Sequence, residues 1–228
     1  MKRLVLTAVV GVALLPLSGC AQTGNDAAQV GDETVSTSDV NFLTKMQCDA
    51  LDKAAKDPAS AGQVQPASRR QVRADMLNAL VDSEVSAQLA AKSGGTYDRA
   101  TLRQLMDQIE PAVKSAPEKD RERFRDLIGD FYRGQLQVFE LAKQKLALQG
   151  VANPSDDEVQ NAISSILADF RKEVGVKINP VYGADASGTA GKKDPSISVA
   201  VSSYAKQAAT SPQAPDFITG LPSRQRCG

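Results

Sequence analysis

The most distinctive chemistry available to this chain is that of its three cysteine thiols. Cys20 follows an apolar run, Leu4–Leu15, which itself follows the positively charged residues Lys2 and Arg3. A basic start, a short apolar run and small residues before a cleavage point are the layout of an export signal. Because a membrane-spanning helix needs about 20 apolar residues, the run is too short to remain as a span. The sequence therefore predicts that residues 1–19 are an export signal that is removed.

The tetrapeptide Leu17–Cys20 resembles the lipobox of bacterial lipoproteins. The resemblance implies that a diacylglyceryl group is attached to the Cys20 thiol and that the signal is cut just before it. Two acyl chains hold a protein stably to a membrane, whereas one holds it only marginally. It thus implies a lipid anchor at the extracytoplasmic face of the cell membrane, with residues 20–28 as a small, polar, flexible tether. The alternative is an ordinary secretory signal with a chance cysteine.

The other two cysteines, Cys48 and Cys227, are candidates for a disulfide. Exported proteins enter oxidising compartments, in which disulfides form and persist. A bridge would tie the last residues to the first predicted helix and close a loop of nearly the whole domain, which could add several kcal/mol of stability. The alternatives are two free thiols, or a Cys227 that lies loose on a frayed tail.

The composition speaks against several classes of function. The chain has 27 basic residues, 27 acidic residues and no His. Loss of Lys2 and Arg3 with the signal leaves 25 basic against 27 acidic residues, a net charge of −2. We expect no nucleic-acid partner, which would call for a basic patch. The absence of His excludes Ser-His-Asp and Cys-His catalysis and His-ligated metal sites, and we expect no metal and no cofactor.

One pair of carboxylates has a spacing that acid–base catalysis could use. Asp126 and Asp130 lie four residues apart, on one face of a predicted helix. Arg125 and Arg133 lie beside them, which favours a solvated, charged face over a catalytic pair. No nucleophile–base pair or phosphate-binding loop accompanies them. We therefore expect no catalytic residue and no enzyme.

Five predicted helices position these residues. Apolar residues recur at helical spacing, and caps, glycines and prolines mark the ends. We interpret each apolar face as core and the charged run from Glu118 to Arg125 as solvated. The helices run from Ser36–Ser38 to Asp57-Pro58, from Ser68 (a capping box with Gln71) to Gly94-Gly95, from Thr96 to an end or kink at Pro111, from Ser115 (with Glu118) to Leu148, and from Ser155 (with Glu158) to Val174. The fourth has the strongest apolar face: Phe124, Leu127, Ile128, Phe131, Leu136, Val138, Phe139 and Ala142.

Two short strand patterns bracket the helices. Residues 28–36 contain a Gly-Asp turn signal between valines, and Val176–Tyr182 alternates apolar and polar residues. Pairing the two segments would close the helical domain. Residues 184–228 are rich in Ala, Ser, Gly, Pro and Thr, and we predict a low-complexity, partly disordered tail. Ile197–Val201 is a lone strand candidate within it.

The order of these segments resembles the N-terminal chaperone domain of the SurA/PrsA family, which is related to the C-terminal chaperone domain of trigger factor. The segments that carry the resemblance are Val30–Val35, Ser38–Val40, Asn153–Val159 and Val176–Gly183. In that family the early and late strands pair, and the helices between them form a peptide-binding cradle. The resemblance implies a mainly α fold: a multi-helix SurA N-terminal-like chaperone domain over residues 29–183, closed by a short two-stranded β pairing of early and late segments.

The same resemblance implies a non-catalytic chaperone, or holdase, for unfolded, exported polypeptides, and the sequence does not identify its peptide-binding residues. Full-length relatives usually carry a parvulin-type isomerase domain. Only 45 residues follow Gly183 here, without His, so that domain does not fit. Met46, Met76 and Met106 have flexible side chains that would suit varied partners, although burial as filler is the simpler interpretation of each. The alternative is a scaffold lipoprotein that binds one dedicated partner and has no chaperone activity.

Overall fold

The described part of the chain is mainly helical, as predicted. The computed structural model describes residues 25–60, 62–183, 202–210 and 214–228. Cys20, the predicted signal and the strand candidate at Ile197–Val201 lie outside the described residues. The helices are α1 (Thr37–Lys56), α2 (Arg69–Ser93), α3 (Arg99–Ser115), α4 (Arg121–Leu148), α5 (Asp156–Val174), α6 (Ser203–Thr210) and α7 (Pro215–Thr219). The strands are β1 (Asp26–Val30), β2 (Glu33–Ser36), β3 (Ala67–Ser68), β4 (Val176–Ile178) and β5 (Arg226–Cys227).

Side-chain caps fix the starts of α1 and α2 where the sequence predicts them. The Ser36 hydroxyl accepts a hydrogen bond from the Asp39 backbone N–H at 3.0 Å, and Ser68 accepts one from the Gln71 N–H at 3.2 Å. The Gln71 side chain donates forward along the helix instead of returning to Ser68, so only half of that predicted capping box forms. α2 ends at Gly94, whose left-handed backbone (φ 67°) carries no steric penalty for glycine.

α5 begins with the complete capping box that the sequence predicts. The Ser155 hydroxyl accepts from the Glu158 N–H at 3.3 Å, and the Glu158 carboxylate accepts from the Ser155 N–H at 2.8 Å. The backbone hydrogen bond from Ser155, followed by that from its hydroxyl, lowers the pKa of Glu158 below the usual 4.5. Both bonds favour the ionised carboxylate.

The boundary between α3 and α4 differs from the prediction. Ser115 is the last residue of α3 instead of the cap of the next helix. Ala116 and Pro117 are extended, a 3₁₀ turn at Glu118–Asp120 follows, and α4 begins at Arg121 without a side-chain cap. A residue that precedes proline is biased away from helical backbone angles. The capping box predicted at Ser115 is therefore wrong, because Ala116 would have to be its first helical residue.

An early hairpin and a late strand form the sheet that closes the helical domain. β1 lies between β2 and β4 and pairs antiparallel with both, with Ala28 opposite Ile178. The hairpin turns at Gly31, whose positive φ of 59° favours glycine. The predicted early–late pairing is confirmed, but residues 33–36 add a third strand. β4 stops at Ile178, and Pro180, which has no N–H for a sheet, starts a 3₁₀ turn.

β1 begins inside the segment predicted to be a tether. Residues 26–28 of the predicted tether, 20–28, belong to the strand, and Ala27 and Ala28 are fully buried. The Asn25 carbonyl also accepts a hydrogen bond, from the Thr37 N–H at 2.7 Å. Small alanine side chains suit a linker, but here they fit the crowded face between the sheet and the helices. Any tether therefore ends before Asn25.

The main core lies between this sheet, α1, α2, α5 and the second half of α4. Each of these elements contributes buried side chains to one cluster. The largest fully buried members are Val30 of β1, Val40 of α1, Leu77, Val81 and Val85 of α2, and Val138 of α4. These elements form the main hydrophobic core of the domain.

α2 and α4 approach each other closely at two small residues. A Cβ added at Gly134 of α4 would lie 2.9 Å from the Cβ of Ser86 on α2, and 3.5 Å from the Ser83 carbonyl oxygen. Ser86 is itself buried. A side chain at position 134 would push the helices apart, since packed interiors accommodate extra atoms only with strain.

The disulfide candidates are joined in the structure. Cys48 of α1 and Cys227 of β5 form a disulfide with their Cα atoms 4.7 Å apart, and both are fully buried. The Gly228 N–H donates to Asp52 of α1 at 2.6 Å, and β5 pairs with β3 just before α2. The end of the chain is thus fastened to both α1 and the start of α2.

Part of the predicted tail is packed structure. Phe217, Ile218 and Leu221 form a small buried cluster, and the turn that follows contacts α2. The tail that the sequence predicts over 184–228, low in complexity and partly disordered, thus includes a packed segment at 214–228. Composition alone could not show that a bridge and a few apolar side chains secure this segment.

Candidate functional site

α3 and the first half of α4 stand apart from the buried clusters. Within the described residues, these clusters contain no residue between 91 and 137. α3 runs through Pro111, which does not end it, and Val113 is its one buried residue. We call α3 together with residues 121–137 of α4 the helical arm. The apolar side chains of this arm are free to form surface instead of core.

The apolar face predicted for α4 is only half buried along the arm. Farther along the helix, Val138 and Ala142 are buried as expected. The interpretation of the whole face as core is therefore wrong for its first part and for Phe139, which is 40% exposed. The half-buried side chains there are Phe124, Leu127, Ile128, Phe131 and Leu136.

Most of these side chains line a groove between the arm, α1 and α2. Its volume is about 410 Å³, within the range of pockets that bind ligands. Gln47, Asp49 and Lys53 place polar groups of both signs in its lining. We call this surface the apolar groove. Its apolar lining is Leu43, Met46 and Ala50 of α1, Met76, Ala79 and Leu80 of α2, Ala112, Ala116 and Pro117 at the end of α3, and Phe124, Leu127, Ile128 and Phe131 of α4.

A second groove of about 630 Å³ shares Phe131 with the first and lies between α2, α4 and α5. Its lining is mixed, since Leu136 and Leu167 alternate with amides and carboxylates. One of these carboxylates, Asp82, is paired with Arg171 of α5. The apolar groove is therefore the better candidate for binding apolar side chains.

Arg123 fastens the arm to the start of α1. Its guanidinium donates to Asp39 at 2.6 and 3.1 Å and to the Ser38 hydroxyl at 2.8 Å. It also lies 4.6 Å from the centre of the Phe42 ring, which meets Phe124 edge-on at 6.4 Å. The Arg123 side chain remains 40% exposed, as expected for a solvated run. Its contacts with α1 were not predicted, because these partners lie more than 80 residues away in the chain.

The structure separates the three methionines. Met46 and Met76 line the apolar groove, and Met46 is 9% exposed. Met106 lies between α3 and α4, where its Cε would be 3.6 Å from a Cβ added at Gly129. Met76 is half-buried, so a varied partner could contact it, whereas Met46 is buried and Met106 packs the arm together.

The remaining candidate residues do not form a reactive cluster. Asp130 pairs with Arg133 at 2.7 Å, and Asp126 is exposed. Across the described ranges, no three His, Cys, Asp or Glu side chains come close enough to hold a metal ion. In the same part of the chain, none of the helices has the length and apolarity that a membrane crossing requires.

Comparison with known proteins yields one match. A family model described as a SurA-like N-terminal domain matches residues 1–151. No curated protein and no solved structure matches the chain. The matched segment contains α1 to α4 and hence every helix that lines the apolar groove, whereas α5 and β4 lie outside it.

Proposed function

This chain belongs to the SurA-like N-terminal domain family, a family of chaperone type, and we propose that it is a non-catalytic holdase for unfolded, exported polypeptides. It acts at the extracytoplasmic face of the cell membrane, where a lipid on Cys20 holds it. The apolar groove receives apolar side chains of the unfolded client. No residue is assigned a catalytic role.

The observation that carries this proposal is the groove itself. Its walls come from four helices, α1 to α4, and most of its lining residues are apolar. The fold leaves the side chains that α4 contributes to it half-buried. Exposed apolar surface on a monomer usually marks an interaction site when it forms a contiguous patch. Met76, which is half-buried in the lining, adds an adaptable side chain, which suits clients of differing sequence.

We expect the apolar groove to bind a client segment weakly and reversibly. Fully burying one large apolar side chain contributes about 1.5–3 kcal/mol. Two such side chains contribute about 3–6 kcal/mol before the entropic cost of ordering the client is subtracted, so one segment binds no tighter than the micromolar range. Weak binding suits a holdase, because a client must leave before it can fold.

A substitution in the groove tests the proposal directly. Ile128→Gln places a polar amide in the lining, while Leu148→Gln changes the same helix at a position that is 90% exposed and outside the groove. We measure light scattering from a denatured client mixed with the full chain. The Ile128→Gln variant should need roughly ten times more protein for the same suppression, since losing one buried apolar contact removes at least about 1.4 kcal/mol.

The Leu148→Gln control should behave like the unaltered chain, and thermal unfolding of both variants checks that they are folded. Equal suppression by the two variants would show that the groove is not the client site. No suppression by the unaltered chain at severalfold molar excess would contradict the holdase itself.

A scaffold with one dedicated partner is separated from a holdase by crosslinking in intact membranes. A holdase should capture many unrelated exported proteins in small amounts. One partner recovered in stoichiometric amount would instead support the scaffold.

The anchor is tested separately, by mass spectrometry of the N-terminus of the chain taken from its native membrane. We expect a chain that begins at Cys20 and carries two or more acyl chains. An unmodified sulfur, or an intact Met1, would overturn the anchored location.

A further inference from the structure

A third concave surface lies at the start of α2, against the C-terminal segment and the 3₁₀ turn at Pro180–Tyr182. Its volume is about 460 Å³. No carboxylate lines it, and four guanidinium groups do: those of Arg69, Arg70, Arg73 and Arg224. We call this surface the arginine pocket.

No ion pair within the described residues neutralises the positive charge of the pocket, since none involves these four arginines. Arg73 is held in place, since it donates to the Tyr182 hydroxyl at 3.1 Å and lies 4.4 Å from the centre of that ring. Its Nε is buried and, within the part of the chain that the structure describes, has no hydrogen-bond partner. The other three arginines are exposed, so the pocket presents positive charge to an external anion.

The pocket lies beside the point where the chain enters the domain. Asn179 donates its side-chain amide to the Asp26 carbonyl at 3.0 Å and its N–H to the Ala27 carbonyl at 2.9 Å. The next turn of chain brings Val181 and Tyr182 into the wall of the pocket. Asp26, the first residue of β1, therefore contacts Asn179, and the pocket wall begins two residues later, at Val181.

This position has a consequence if Cys20 carries the lipid. Six residues take the chain from Cys20 to Asp26, and even a fully extended chain of that length spans only about 20 Å. The end of the domain that bears the pocket is therefore kept close to the membrane surface. Val181, an apolar side chain that is 70% exposed, projects from this same end.

We propose that the arginine pocket binds the phosphate of anionic phospholipid headgroups in the membrane that anchors the chain, with Val181 at the interface. The inference rests on the anchored location in the proposed function. The planar fork of arginine matches two phosphate oxygens at once. Basic side chains beside an apolar residue are the composition that binds anionic interfaces. Such docking would hold one end of α2 at the bilayer.

A single fluorescent probe can test this, because the chain has no Trp. The full lipidated chain carrying Val181→Trp is reconstituted into vesicles of phosphatidylcholine alone, or of phosphatidylcholine with phosphatidylglycerol, each with brominated acyl chains as quencher. We expect strong quenching in the anionic vesicles and little in the neutral ones.

Charge variants decide whether the pocket is responsible. Each arginine near an anionic surface changes partitioning roughly fivefold, so Arg69→Gln, Arg70→Gln and Arg224→Gln together should lower the docked-to-free ratio by roughly 100-fold. The matched control removes the same charge outside the pocket, through Arg99→Gln, Arg103→Gln and Arg133→Gln, and should leave quenching in anionic vesicles nearly unchanged. Arg73 is kept because it packs on Tyr182.

Lipid docking by the arginine pocket and anchoring through Cys20 can fail independently of each other. Flotation with the vesicles reports the anchor alone. A chain that floats but is quenched equally in both vesicle types, or equally in both triple variants, overturns lipid docking and leaves the anchor standing. A chain that does not float overturns the anchored location and this inference with it.

Two further measurements test whether the pocket binds other anions. If inorganic phosphate changes the V181W emission in neutral vesicles as much as anionic lipid does, the pocket is a free-anion site and the lipid assignment is wrong. If a peptide with a free carboxyl terminus changes the emission where anionic lipid does not, the pocket recognises a polypeptide end instead. The client-holding function is unaffected by either result, because light scattering measures it independently.

Discussion

Gly129 and Gly134 occupy the middle of α4 in opposite surroundings. An added Cβ at Gly129 would meet only the flexible end of Met106, at 3.6 Å, whereas at Gly134 it would meet the Cβ of Ser86 at 2.9 Å. Glycine in a helix is less favourable than alanine by about 1 kcal/mol. One glycine can therefore be replaced with benefit, and the other is required by the contact between α2 and α4.

These surroundings predict opposite effects of the same substitution. Gly129→Ala should raise the free energy of unfolding by about 0.5–1 kcal/mol through helix propensity. Gly134→Ala should lower it by about 1–3 kcal/mol, the usual range for overpacking. Urea unfolding of the full chain measures both changes. If Gly134→Ala leaves the free energy of unfolding unchanged or raises it, α2 and α4 do not meet closely at Gly134.

At the scale of single elements, local side-chain chemistry made α1, α2 and α5 predictable. Ser36, Ser68 and Ser155 each cap a helix through backbone groups three residues away, and such contacts can be found from spacing alone. The start of α4 was not predictable from the same pattern, because Pro117 forces its neighbour out of the helical region. The contacts of Arg123 with α1 could not be predicted for a different reason: they form only when α4 packs beside α1, and local spacing does not show which helices pack together.

The capping box of α5 predicts how stability depends on pH. The pKa of Glu158 in the folded chain is lower than the usual 4.5, so its ionised form stabilises the fold fully above pH 4.5. This stabilisation is lost as the pH falls through the folded-state pKa. Between pH 6 and pH 3, the free energy of unfolding should therefore fall less steeply in Glu158→Gln than in the unaltered chain.

Ser155→Ala should flatten the same pH dependence, because it removes the hydroxyl from the box, and urea unfolding at several pH values measures all three proteins. Identical slopes would mean that the box does not form in solution.

The apolar groove shows what periodicity can and cannot predict. The spacing of Phe124, Leu127, Ile128 and Phe131 identified one apolar face of α4, and that face exists. Periodicity gives the direction in which side chains point, but it does not say whether another element covers them. Val138 and Ala142 in the second half of the face are buried, whereas Phe139 is 40% exposed and the side chains of the first half are only half-buried. The sequence did not predict the arginine pocket either. Arg224 lies far from Arg69 and Arg70 in the chain, and only the docking of the C-terminal segment brings it into the same pocket.

At the scale of the whole molecule, the bridge between Cys48 and Cys227 spans 179 positions of the sequence. Closing so long a loop reduces the freedom of the unfolded chain, with an upper limit of about 5 kcal/mol in the chain-entropy treatment. The same bridge positions the C-terminal segment that completes the arginine pocket. Stability and the shape of that surface are therefore linked.

Reduction of the bridge should have two measurable effects. A thiol count on the denatured chain should rise by two when reductant is added, and the free energy of unfolding should fall by about 2–5 kcal/mol. The Cys48→Ser, Cys227→Ser double variant is the control, since reductant should change neither quantity in it. An equal thiol count with and without reductant would show that the cysteines are not paired.

The central position of β1 in its sheet affects the chain while it is being synthesised and exported. β1 needs a neighbour on each side, and one of them, β4, begins only at Val176. A polypeptide leaves the ribosome, and any translocase, with its N-terminus first, so one side of β1 stays unpaired until the five helices α1 to α5 have followed it. An unpaired strand side is a template for aggregation. While it is being made, this chain therefore presents the same hazard that a holdase suppresses in other proteins.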